Sequence, residues 1–92
     1  MIVRVLGEGQ FELSDVLTDT LNAHDNALTQ ALEADDEAAF RTALHGMLDT
    51  VRAEGAPVPD DVLVPSDVVL PQGDATLDEV RAMLGDEGLV PG

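Results

Sequence analysis

The sequence predicts an α+β fold: a helix-dominated small domain in which an N-terminal β-hairpin packs on an antiparallel helical hairpin, followed by a proline-rich extended segment and a short C-terminal helix. Three observations predict it. Apolar residues between Asp15 and Arg52 recur at helical spacing, broken once at Ala34-Asp35-Asp36. Residues 1–13 read as two short strands around Gly7-Glu8-Gly9. Thr76-Leu77-Asp78-Glu79 is a capping box that opens a third apolar stripe. A chain of 92 residues is one small domain, 1–92, with a modest core and a stability margin of only a few kcal/mol.

The hairpin of residues 1–13 pairs the β-branched run Ile2-Val3-Arg4-Val5-Leu6 with the alternating Gln10-Phe11-Glu12-Leu13. Alternation puts Val3 and Val5 on one face and Ile2, Arg4 and Leu6 on the other, with Phe11 and Leu13 sharing a face. Two strands alone are marginal in water, so this ribbon must pack on the helices or gain another strand. Gly-x-Gly after a strand suggests a phosphate loop, but a second strand follows it, no third glycine appears and the chain has no lysine.

Residues 15–54 form the helical hairpin. Leu17, Leu21, His24, Leu28 and Leu32 make one stripe, and Phe40, Leu44, Met47, Leu48 and Val51 make the other. Ser14 or Asp15 caps the first arm, Asp35 or Asp36 the second, and Arg52 with Gly55 supplies the expected chemistry at the far end. Gly46 is the exception: glycine inside a helix loses about 1 kcal/mol against alanine, so either another backbone passes close or the site tolerates the loss.

Four prolines between residues 56 and 73 forbid a long helix there, while Val62-Leu63-Val64 and Val68-Val69-Leu70 are too apolar for a disordered linker. The segment is expected to be ordered and extended, to cross the helical hairpin, and to lend one apolar run to the sheet as an edge strand. The third helix spans 76–84, with Leu77, Val80, Met83 and Leu84 as its stripe, and residues 85–92 form an extended tail whose Leu89 and Val90 pack on the domain or dock on a partner.

Composition excludes several functions. There is no cysteine, hence no disulfide, thiolate zinc site, iron–sulfur cluster or cysteine catalysis, which fits a reducing compartment. No apolar run reaches the roughly 20 residues of a membrane span and no basic leader opens the sequence, so a cytoplasmic protein without direct membrane insertion is expected. Nineteen acidic residues against four arginines give a net charge of −15, which disfavours direct contact with nucleic acid or anionic lipid. Solubility, attraction to a basic partner and mimicry of a nucleic-acid backbone are the three readings of that charge.

Chemistry-bearing constellations are weak. His24 and His45 lie symmetrically about the turn and are expected at similar heights on the two arms; with rings in the seam they could hold a metal together with Asp25 or Asp49, or titrate as a pair. His45 also belongs to the row Arg41, His45, Leu48, Arg52 that borders the stripe and faces water, so no metal and no cofactor are assigned. The carboxylate pairs are explained by caps and turns, neither serine sits in a nucleophile elbow, and no enzyme is expected.

Met1-Ile2-Val3-Arg4-Val5-Leu6-Gly7-Glu8-Gly9-Gln10, Leu63-Val64-Pro65-Ser66-Asp67 and Asp86-Glu87-Gly88-Leu89-Val90-Pro91-Gly92 together resemble the PspA-associated domain family, PspAA, small proteins of actinobacteria and archaea encoded beside phage-shock protein A. The resemblance runs end to end but is specific in those three segments. It implies a non-enzymatic accessory or regulator of the phage-shock membrane-stress response, cytoplasmic and peripheral to the inner membrane through its partner PspA, a long helical protein; homo-oligomers are left open. Under this reading the ribbon and the tail, through Phe11, Leu13, Leu89 and Val90, bind a PspA helix. The rivals are a histidine-based metal or pH sensor and an acidic nucleic-acid mimic.

Overall fold

The computed structural model describes residues 1–83; Leu84, expected in the third helix, and residues 85–92, expected as a tail with Leu89 and Val90, lie outside those described residues. Two layers face each other. Strand β1 (Ile2–Val5) and strand β2 (Gly9–Glu12) form the expected hairpin, a 3-10 turn at Asp15–Leu17 leads into helix α1 (Thr18–Glu33), and helix α2 (Glu37–Glu54) returns antiparallel to it. Strand β3 (Ala56–Pro57), strand β4 (Val68–Leu70) and helix α3 (Leu77–Met83) follow.

The sheet order is β3-β2-β1-β4, with β4 parallel to β1 and the other pairings antiparallel. The expected edge strand is therefore present as Val68-Val69-Leu70. The second edge strand, Ala56-Pro57 beside β2, is not expected from sequence, because two residues ending in proline carry no alternation to read.

Register fixes the two faces of the sheet. Val3 lies opposite Phe11 and Val68, and Val5 opposite Leu70, so these side chains share the inner face with Leu13. Arg4 lies opposite Gln10 and Val69 on the outer face. The inner face meets the stripes that spacing predicts on the helices: Leu21, Leu28, Phe40, Leu44, Met47, Leu48 and Val51 are fully buried against it. Ala75, Leu77 and Val80 complete the same core. Neither layer can cover its apolar side without the other.

The local chemistry explains why the helices stop and start where they do. Asp35 takes a left-handed φ of +55°, tolerated by aspartate better than by most residues. Its N–H donates to the Leu32 carbonyl (3.2 Å) and the N–H of Asp36 to the Ala31 carbonyl (2.9 Å), the two bonds of a Schellman motif with aspartate in the usual place of glycine. Asp36 then caps α2, its Oδ1 accepting from the Ala39 N–H at 3.1 Å. The capping box forms as its spacing predicts, Thr76 Oγ1 accepting from the Glu79 N–H (3.1 Å) and Glu79 Oε1 from the Thr76 N–H (3.2 Å).

Gly55 works differently from the expectation at the C-terminus of α2. Its φ is −87°, open to any residue. Glycine is needed because a Cβ there would lie 2.5 Å from the Val51 carbonyl oxygen and 2.9 Å from Phe11 Cβ, where the end of α2 closes onto β2. At the other end of that strand pair, Gly7 does need its freedom, with φ +84° in the tight turn closed by Glu8 N–H to the Val5 carbonyl. That turn is latched to α2: Arg52 donates through Nε (2.9 Å) and Nη2 to the two carboxylate oxygens of Glu8, and its Nη1 also approaches Asp49.

The hydrogen bond from Arg52, opposed by partial burial and aided by the guanidinium charge, holds the Glu8 carboxyl below its ordinary value of 4.5. A depressed carboxylate pKa contributes stability above 4.5 that is lost as pH falls through the lower, folded value. The difference in urea-unfolding free energy between the wild type and Glu8→Gln is therefore at most about 1 kcal/mol near neutral pH, given the exposure of the pair, and shrinks toward zero in acid. Gly55→Ala, at a φ where the substitution usually stabilises by about 0.4–1 kcal/mol, should instead destabilise by about 1–3 kcal/mol in the same assay, because the added carbon overpacks the joint.

Candidate partner-binding surface

The structure separates the two histidines. His24, on α1, lays its ring against α2 at Gly46, where a Cβ would come within 3.0 Å of its Cε1, and its Nε2 lies 3.5 Å from Thr50 Oγ1. Thr50 donates its own proton to the Gly46 carbonyl at 2.9 Å, so its oxygen is left to accept from the imidazole. His45 points to the other flank of α2, with Nε2 3.2 Å from the Gly73 carbonyl, which also accepts from Arg41 at 3.3 Å. The close approach at Gly46 is thus a side chain and not a passing backbone. Asp25 is buried on α1 at 4% exposure and Asp49 approaches Arg52, so neither completes a histidine site. Among the described residues no three His, Asp or Glu side chains are grouped to hold a metal.

Of the apolar residues expected at a partner surface, Leu13 is 3% exposed and belongs to the core, and Phe11 packs against that core on the inner face of the sheet. Both are committed to holding the layers together. Leu89 and Val90 fall outside the described residues.

Two concave surfaces stand out among the described residues. One runs between α1 and α2 on the side away from the sheet, about 700 Å³, floored by Ala27, Ala31, Ala39 and Ala43 with Gly46 and His24 at one end. Its shape follows from small residues at the groove-facing positions of both arms, where larger ones would have filled it.

The other lies on the outer face of the sheet, about 380 Å³, between Arg4 and Gln10 below and the loop carrying Pro59, Asp60, Leu63 and Pro65 above. The loop is pinned to the sheet. Gln10 Nε2 donates to the Val64 carbonyl (2.9 Å) and Ser66 Oγ (2.8 Å), the Val58 N–H donates to the Gln10 carbonyl (2.9 Å), and Asp67 accepts from the Ile2 N–H through Oδ2 (2.8 Å) while its own N–H returns a bond to the Ile2 carbonyl. Contrary to expectation, the extended segment therefore does not lie wholly across the helices. Pro71 to Ala75 do so, whereas residues 58–66 fold over the opposite side of the sheet, because Gln10 offers the loop a better polar anchor than the apolar helices can.

The residues that tie the loop down, Ile2 and Gln10 on the sheet and Val64, Ser66 and Asp67 in the loop, sit in two of the three segments on which the family resemblance rests. A family model described as PspA-Associated protein matches residues 1–92, the whole chain. The chain belongs to the PspAA family. No curated protein and no solved structure matches it. Among the described residues no helix of this PspA-associated protein is long and apolar enough to cross a membrane.

Sequence reading misses the outer-face groove because Val62-Leu63-Val64 looks like packing material. The signal is there in the flanking Pro59 and Pro65, which stop the run from joining the sheet, and in Asp60-Asp61 beside it.

The contact of His24 with Gly46 makes a prediction for unfolding measurements. Gly46→Ala alone should be neutral or destabilising, since the methyl group must displace the imidazole. In a His24→Ala background the same change should stabilise by about 1 kcal/mol, the ordinary helix preference for alanine. Additivity of the two substitutions would contradict the contact.

Proposed function

We propose that this chain is a non-enzymatic, protein-binding accessory or regulator of a PspA-type membrane-stress response. It acts in the cytoplasm and reaches the inner membrane only through PspA. The observation that carries the reading is membership of the PspA-associated family over the whole chain. The physics is compatible with it in one specific way. At a net charge of −15, long-range repulsion from anionic lipid keeps the protein off the bilayer unless a partner holds it there, and the same charge speeds encounter with basic protein surfaces. No three His, Asp or Glu side chains are grouped to hold a metal among the described residues, and no catalytic role is proposed for any of them. The paired form of the histidine-sensor rival is disfavoured, since His24 and His45 contact different flanks of α2.

Titration of the purified full-length protein into purified PspA by calorimetry tests the proposal. A saturable complex with Kd of roughly 1–100 μM, weakening as salt is raised, is expected. No heat and no co-migration at the upper concentrations would overturn it. A chain truncated after Gly85, run in parallel, reports on Leu89 and Val90: equal binding by both chains would remove the tail from the contact.

A further inference from the structure

We infer that the outer face of the sheet, where Leu63 stands out beside an Arg4 without an ion pair among the described residues, is the docking surface, and that it takes an apolar protein surface bordered by lysine or arginine. This rests on the proposed association with PspA and names the face that makes it.

Four of the six large aliphatic side chains left exposed among the described residues lie on this side of the molecule. Leu6 and Val69 belong to the outer face of the sheet by alternation and register, and Val62 and Leu63 to the loop above it. Arg4 stands between the two pairs. Leu63 is 94% exposed, yet it is not exposed by looseness. The next residue and Ser66 are held by the Gln10 amide, the Val62 N–H closes a turn onto the Pro59 carbonyl (3.0 Å), and prolines stand on both sides. A leucine held rigidly in water loses little conformational freedom when a partner covers it, which is the condition for an anchor residue.

Charge narrows the occupant. Asp60 and Asp61 precede the apolar pair and Asp67 follows it, so the border is acidic. Arg41, Arg52 and Arg81 each engage a carbonyl or carboxylate, whereas the Arg4 guanidinium meets neither among the described residues. The occupant therefore offers basic side chains to the border, an apolar side chain against the projecting Leu63 and an acceptor to Arg4 in the groove. A nucleic acid or an anionic bilayer meets the acidic border unfavourably, and a second copy brings another −15 of charge to the contact. A mixed-charge, apolar-centred protein surface fits.

The test is a titration of purified PspA against three chains: the wild type, Leu63→Ser and Ala39→Gln. Ala39→Gln fills the groove between the helices, which is the competing surface. Each variant is first checked for an unchanged thermal midpoint, and contacts are mapped by amide chemical shifts of the labelled wild type. Leu63→Ser should weaken binding at least 10-fold, Ala39→Gln should leave it unchanged, and perturbed amides should cluster at residues 4–6, 60–66 and 69. Binding that survives Leu63→Ser, or that fails in Ala39→Gln with shifts along α1 and α2, would overturn this surface while leaving the association with PspA intact. Absence of binding by the wild type would overturn both. A doubling of mass in the wild type without PspA, abolished by Leu63→Ser, would assign the face to a second copy and overturn the inference.

Discussion

Everything in this fold depends on two apolar sides that have no other cover. The stripe shared by α1 and α2 and the inner face of β1, β2 and β4 bury one another, with Phe40, Leu44, Met47 and Leu48 from one layer and Val3, Val5, Val68 and Leu70 from the other. Strands of two to four residues cannot persist alone in water, and a pair of helices with one uncovered stripe would associate or melt. The polar devices are tuned to that joint. Gly55 lets α2 close on Phe11 and Leu13, and Arg52 ties the hairpin turn to the last turn of the helix.

With one side of each layer thus occupied, function is left to what the core does not use. The helices present a groove of alanines whose occupant nothing identifies. The sheet presents its outer face, where a polar anchor on β2, Gln10, holds an apolar loop away from the core that its composition would suit. An exposed Leu63 in a loop pinned by hydrogen bonds is a stability cost that packing alone does not explain, and the proposed partner surface would give it a use. The PspAA family match covers the segments that build this arrangement, the first ten residues and residues 63–67.

Much of the architecture is legible in the amino-acid sequence. Helical spacing locates both arms because their stripes are long, and the capping residues Asp36, Thr76 and Glu79 act as their spacing implies. Legibility fails where long-range contacts override local signal. The pairing of Ala56-Pro57 with β2 depends on where α2 ends, not on the dipeptide. Gly46 reads as a close backbone approach or a tolerated loss and Gly55 as a helix terminator, but their reasons are the ring of His24 and the side chains of Phe11 and Leu13, each distant in sequence. The same limit hides which way the ribbon faces: Phe11 and Leu13 alternate like a free ribbon face, and the register against Val3 shows that this face is the inner one.

Native-state hydrogen exchange on the full chain tests the mutual dependence of the two layers most directly. The amides of Val3 and Val5 in the sheet and of Leu44 and Leu48 in α2 should open in one cooperative unit, with the same free energy and the same dependence on denaturant. Sheet amides that exchange at a much lower free energy, with α1 and α2 still protected, would show that the helical hairpin stands by itself and would contradict the account.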